Sequence, residues 1–206
     1  MIKLILRASL LAAILMAFTA IANADTLVSY STQGCFGALC VPAPIASNAV
    51  GAGTLVYAGQ LPNTVNVPTG GFTAAQLGTF TWLGAPLGAF ATPFTLEITQ
   101  TAPGPTGSQS FTATVIGVVQ TTPAGSTVQV IFAATSVTIN GVTYQLTNLG
   151  GPGTTNPNAL LINPPGQTTS VQSIVTAPVP EPASMLLLGT GLLGVAGAVR
   201  RRLKRD

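Results

Sequence analysis

Ser136-Val-Thr-Ile-Asn140-Gly141-Val-Thr-Tyr-Gln145 is the stretch whose reading decides the fold. Asn-Gly accepts positive φ at both central positions, which a two-residue type I′ hairpin loop demands. Folding the segment about that pair sets Ile139 opposite Val142 and Val137 opposite Tyr144 on one face. Thr138 then faces Thr143, and Ser136 faces Gln145, on the other. One side is apolar and one polar, so the hairpin has a face to bury and a face to hydrate.

The same pattern runs outward through residues 25–179, which are rich in Thr, Val, Gly, Ala and Pro. Strand signals recur at 26–32, 54–58, 78–83, 94–99, 110–120, 127–135 and 170–176, around the hairpin strands 137–139 and 142–146. Short strands with turn residues between them predict an all-β, sandwich-like domain. Residues 41–53, 63–71, 102–107 and 150–166 read as loops from their Gly, Pro and Asn content. The exported β domain is therefore placed at 25–149. Residues 150–178 are read as a Gly/Pro/Thr-rich linker with a candidate last strand. Phe80 and Trp82 share one strand face, and a buried core is the expected role for both, ahead of a sugar-stacking platform.

The basic balance of the whole chain misleads. Its seven Lys and Arg lie at positions 3, 7 and 200–205, and it has no His. The exported region carries only Asp25, Glu97 and Glu181, all negative. Nucleic acid as a partner is excluded for this domain, because neutralising phosphates requires Lys or Arg. Catalysis is equally short of material, since a Ser or Thr nucleophile has no ordinary general base here. Asp25 with Glu97 is the one carboxylate pair for glycosidase-like chemistry. Glu97, however, sits in an alternating strand pattern and reads as a solvated side chain. No enzyme and no cofactor is expected.

Cys35 and Cys40 are the only cysteines. In an exported chain the natural reading is a disulfide closing a small loop around Phe36-Gly37-Ala38-Leu39. Zinc needs about four ligands, and two cysteines with two carboxylates and no His do not supply them, so no metal is expected. A redox-active pair would call for C-x-x-C spacing and a nearby cation, and both are missing.

Both ends of the chain read as addresses. Lys3 and Arg7 precede an apolar run at 8–22, and Ala22-Asn23-Ala24 fits a signal-peptidase site. Residues 1–24 are thus expected to be a signal peptide, cut between Ala24 and Asp25. At the other end, residues 183–199 are seventeen consecutive uncharged residues. At ~1.5 Å rise per residue they give roughly 25 Å of helix, near the lower limit for crossing a bilayer. Arg200, Arg201, Arg202, Lys204 and Arg205 follow at once as a basic stop expected to stay cytoplasmic. The letters G-x-G-x-x-G at Gly189, Gly191 and Gly194 lack a preceding strand and a βαβ context, so no dinucleotide site is read there.

Val179-Pro180-Glu181-Pro182-Ala183-Ser184-Met185, the Leu/Gly span and the arginine cluster, in that order, closely resemble the PEP-CTERM sorting signal of Gram-negative bacteria that make exopolysaccharide. The resemblance covers residues 179–206. It implies recognition by an exosortase, a membrane-embedded cysteine protease-transpeptidase that would cut near Pro180-Glu181-Pro182 and discard the span. The expected partners are signal peptidase, the exosortase, the membrane through residues 183–199, and exopolysaccharide as the surroundings. The expected function is a non-enzymatic surface or matrix protein. An adhesion or glycan-binding module is the alternative, and a hydrolase using Asp25 and Glu97 comes after it.

Glu181 is the only acidic residue between Glu97 and Asp206, and the flanking prolines hold it on extended backbone. Glu181→Ala is expected to leave membrane insertion intact while the unprocessed form accumulates in cells carrying an exosortase. Immunoblotting of membrane and released fractions reads this directly, and release at the parental rate would contradict it.

Overall fold

Asn140 and Gly141 adopt φ of 50° and 81°, the two left-handed positions that the hairpin requires. Ile139 pairs with Val142, Thr138 with Thr143, Val137 with Tyr144 and Ser136 with Gln145, the register read from the sequence. The structure is a computed structural model, and it describes residues 25–50, 53–84, 89–118, 127–154 and 156–178, together with Gly191. The signal peptide at 1–24, the Pro-Glu-Pro motif at 180–182, the span at 183–199 and the basic tail at 200–206 lie outside the described residues, Gly191 excepted.

Twelve strands run through the described residues: β1 (Thr26–Phe36), β2 (Ile45–Val50), β3 (Gly53–Gly59), β4 (Asn63–Val67), β5 (Thr73–Leu83), β6 (Phe90–Ala102), β7 (Gly107–Val118), β8 (Thr127–Phe132), β9 (Ser136–Ile139), β10 (Val142–Thr147), β11 (Ala159–Ile162) and β12 (Thr168–Thr176). They form two six-stranded sheets, ordered β11-β8-β7-β6-β1-β4 and β2-β3-β5-β12-β10-β9. All of the pairings are antiparallel. The all-β expectation holds, with two curled sheets facing one shared core.

Period-two alternation explains which faces meet. Val28 and Tyr30 of β1, Phe94, Leu96 and Ile98 of β6, and Phe111 and Val115 of β7 point inward from the first sheet. Leu55 and Tyr57 of β3, Phe80 and Trp82 of β5, and Tyr144 of β10 point inward from the second. Tyr57, Phe80 and Phe94 form a triangle of rings with centroids 5.1–5.2 Å apart. Such tilted and edge-on contacts each add about 0.5–1.5 kcal/mol beyond area burial. Pro93 is tolerated inside β6 for a geometric reason. Its N and C=O face β1, whose paired register ends at Phe36 opposite Phe94, so the missing N–H removes no ladder bond. The Pro93 carbonyl accepts instead from Gly37 N at 2.8 Å.

Several boundaries differ from the sequence reading. The stretches 41–53, 63–71 and 150–166, read as loops, contain β2, β4 and β11. The domain boundary expected at residue 149 falls inside the fold. Residues 150–178 supply β11 and β12 to the two sheets, and Asp25–Pro178 forms one compact unit. Their Gly, Pro and Asn content makes tight turns between strands where a flexible spacer was expected.

A bulge in β5 ties the two sheets together. Val171 of β12 pairs with Gly78 and Gln172 with Gln76, leaving Leu77 as the extra residue. Gly78 is at φ 129°, and a Cβ there would lie 2.5 Å from the Tyr57 hydroxyl and 2.6 Å from the Ala58 carbonyl. Only glycine fits. The carbonyls beside the bulge are met by hydroxyls from β1 across the core and from neighbouring β3 of the same sheet. Tyr30 of β1 donates to Gln76 O at 2.9 Å, Thr32 of β1 donates to Leu77 O at 2.6 Å, and Tyr57 of β3 also donates to Leu77 O. Thr32 Oγ1 in turn accepts from Gln60 N at 2.7 Å.

Removing either donor to Leu77 O leaves the other in place, whereas removing both strands a buried carbonyl. Tyr57→Phe is expected to cost about 1 kcal/mol of stability, and Thr32→Val about 2–3 kcal/mol because Gln60 N loses its acceptor as well. The double variant is expected to exceed the sum by about 1–2 kcal/mol. Urea denaturation of the four proteins in a double-mutant cycle measures this coupling.

Candidate functional site

Of the two carboxylates in the described residues, each goes its own way. Asp25 is exposed just before β1, where its Oδ2 accepts from Asn66 Nδ2 at 2.7 Å. Glu97 lies on the outer face of β6, opposite Gln33 of β1 and Ser110 of β7. Eight residues of β1 separate Asp25 from Gln33, a run of roughly 26 Å at ~3.3 Å per residue. Glycosidase carboxylates stand about 5–9.5 Å apart, so the structure does not bring Asp25 and Glu97 together. Among the described residues, no group of three or more His, Cys, Asp and Glu is placed to hold a metal.

Cys35 and Cys40 are joined, with Cα atoms 5.7 Å apart. Cys35 sits at the end of β1 opposite Thr95. The bridge fixes the turn that leads to the isolated Gly34–Ala43 pairing, where Gly34 N and Ala43 O are 2.9 Å apart. Leu39, within the bridged loop, is 99 % exposed. Trp82 is fully buried, so it is a core residue and not a sugar platform. Its indole N–H has no partner among the described residues, while its carbonyl accepts from Gly166 N at 2.7 Å.

Polar side chains form several rows on the outward faces of the two sheets, interrupted by apolar positions such as Ile174 and Ala74 on the second and Ile116 and Ile131 on the first. On the first sheet, cross-strand rows run Ser31–Thr99–Ser108 and Gln33–Glu97–Ser110, with Thr95 beside Thr112 in the next. On the second they run Thr138–Thr143–Thr176 and Thr147–Gln172–Gln76. Hydroxyls within rows bond each other: Thr99 with Ser108 at 3.0 Å and Thr138 with Thr143 at 2.9 Å. Side chains within a row stand ~4.8 Å apart across strands, and the rows of the first sheet lie roughly 6.7 Å apart along them. These faces offer donors and acceptors in a fixed array, with Glu97 as the single charge among the rows named. The sequence reading saw polar strand faces but could not align the rows, because register between distant strands is set by the core.

The three tyrosines face inward. Burial raises the Tyr57 hydroxyl well above its usual value, and the Thr32 hydrogen bond offsets part of that. Burial also raises Tyr144, with neighbouring Tyr30 adding to the effect. Tyr30 is raised by burial against a lowering contact from Asn63. Tyr144 donates to Gln100 Oε1 at 3.1 Å, and Gln100 Nε2 donates to Pro103 O at 3.1 Å, so this second polar group is also satisfied internally.

Among the described residues the three tyrosine hydroxyls are all met from within the domain, and the assigning feature lies at the domain's end. The compact unit stops at Pro178, and the sequence from there follows a known pattern. Residues 178–202 match the PEP-CTERM protein-sorting motif. The chain carries a PEP-CTERM signal. No curated protein and no solved structure matches the chain. The PEP-CTERM motif marks it as an exported exosortase substrate, membrane-associated before processing.

The raised tyrosines give the fold an alkaline limit. In the unfolded chain they lose protons near pH 10, while the folded state holds them neutral to higher pH. Above about pH 10 the unfolded state therefore binds fewer protons, so stability falls as pH rises. Below that pH their contribution is fully present. In a pH titration, tyrosinate absorbance is expected to rise cooperatively and together with loss of β-sheet circular dichroism. Ionisation of all three at ordinary pH with the fold intact would contradict this.

Proposed function

We propose that the β domain is a non-enzymatic component of the cell surface or extracellular matrix, lodged among exopolysaccharide after its tail is processed. The observation that carries this reading is the pair of outer sheet faces, with aligned rows of Ser, Thr and Gln. Neutral sugars present hydroxyls that both donate and accept, as these side chains do. A face with almost no charge neither repels an acidic polysaccharide strongly nor depends on counter-ions to approach it. The lack of Lys, Arg and His between residues 8 and 199 supports a structural role over a catalytic one. The Pro-Glu-Pro signal supports delivery to the outside, where such a polymer is found.

Contact of this kind is spread over many weak hydrogen bonds and does not rely on ion pairs, which salt would screen. The processed protein is expected to stay with isolated exopolysaccharide through a wash in high salt. Thr112→Glu combined with Thr138→Glu, one exposed position on each outer face, is expected to release severalfold more protein into the medium. Co-sedimentation with the host polysaccharide measures both effects. Salt extraction of the parent, or unchanged retention of the double variant, would remove the support for this function.

A further inference from the structure

The folded domain runs up to the sorting motif without a spacer. β12 lies between β5 and β10, and its last residues pair as Val175 with Tyr144 and Thr73, and Thr176 with Thr143. Ala177 packs against the core. Pro178 lies on the hairpin turn, where a Cβ built on Gly141 would be 3.2 Å from the Pro178 ring. The turn is itself braced, because Asn140 Nδ2 donates to Pro105 O at 2.6 Å. Pro178 is also the first residue of the matched motif. Pro180 follows two residues later, a reach of roughly 7 Å even when fully extended. Lengthening that reach by fraying β12 would expose Val175, which is fully buried and held by strands on both sides.

We propose that the exosortase which reads Pro180-Glu181-Pro182 contacts the β domain itself, on the end face made by the Asn140-Gly141 turn, the 103–105 loop and Phe72. Phe72 directly precedes Thr73, the partner of Val175, so it stands beside the departing chain, and it is 65 % exposed. Pro103, Gly104, Pro105, Asn140 and Gly141 carry no charge. Asp25, bonded to Asn66 at the start of β1, is the one carboxylate at this end of the described domain. A surface so sparing of charge, with one projecting aromatic, suits an enzyme rim, because aromatic side chains are enriched at protein interfaces. The domain thereby becomes part of the substrate, and the motif is read together with the fold that precedes it. This rests on the reading of the motif as an exosortase signal.

The far end of the domain supplies an internal control. Leu39 is the other strongly exposed apolar residue of use here, and it lies in the bridged loop beside Cys35 and Thr95. Thr95 and Ala102 are seven residues apart along β6, roughly 23 Å. In cells carrying the exosortase, Phe72→Glu is expected to slow tail removal several-fold, and Leu39→Glu to leave it unchanged. Both side chains are exposed, so neither substitution empties the core. Inserting about eight Gly and Ser residues between Pro178 and Val179 adds an r.m.s. span of roughly 15 Å, and is expected to relieve the Phe72→Glu defect. Parental processing of Phe72→Glu, equal slowing by Leu39→Glu, or no relief from the spacer would each overturn the proposal. Lipid is the competing occupant. A Phe72→Trp variant in enzyme-free vesicles of phosphatidylethanolamine and phosphatidylglycerol is expected to resist quenching by brominated acyl chains, and quenching there would overturn the assignment. Glu181→Ala run in parallel separates the two failures. Processing that ignores Glu181 refutes the sorting reading, whereas processing that needs Glu181 but ignores Phe72 refutes only the end-face contact.

Discussion

The carbonyl of Leu77 is the constraint on which the two sheets depend. The bulge in β5 turns it out of the strand ladder and into the core, where an unmet acceptor would cost about 1–3 kcal/mol. Thr32 of the first sheet and Tyr57 of the second both donate to it. Tyr30 does the same for Gln76 O. Apolar packing between sheets is tolerant of sliding, but these hydroxyls are not, because each has one carbonyl within reach. They therefore set how β1 lies across β5, and the triangle of Tyr57, Phe80 and Phe94 is built within that alignment.

The legible parts of the sequence were those where local chemistry and burial agree. Asn140-Gly141 fixed its own hairpin, and alternation marked parts of the central strands at 78–83, 94–99 and 110–120, although β5 and β6 run longer, over Thr73–Leu83 and Phe90–Ala102. The strands that were missed, β2, β4 and β11, are all at sheet edges, with six, five and four residues. An edge strand has one neighbour and few inward positions, so its alternation is brief and its turn-forming flanks dominate the reading. Pro93 hid the start of β6 for a different reason. Its missing donor is harmless only because β1 has already ended there, and no local pattern can reveal that. The polar outer rows were likewise visible as residue types but not as rows.

Address and body are written in different alphabets. Positive charge is confined to positions 3, 7 and 200–205, and the β domain works with hydroxyls, amides and an uncharged core. Asp25 and Glu97, the carboxylate pair considered for glycosidase-like chemistry, are kept at separate places on the surface by the long first strand. The bridge between Cys35 and Cys40 is local in the same spirit, stabilising one turn by about 2 kcal/mol through a short closed loop and leaving the rest of the domain to its packing.

The position of β12 sets a timetable. A chain threaded outward from its N-terminus delivers β5 and β10 well before Thr176, yet in the finished sheet neither touches the other, because β12 fills the place between them. The second sheet is therefore joined into one only when the last strand is in place. The strand that completes the sheet is followed directly by the sorting motif. A polypeptide cut short before residue 168 would therefore hold its second sheet in two pieces, with nothing to join β5 to β10.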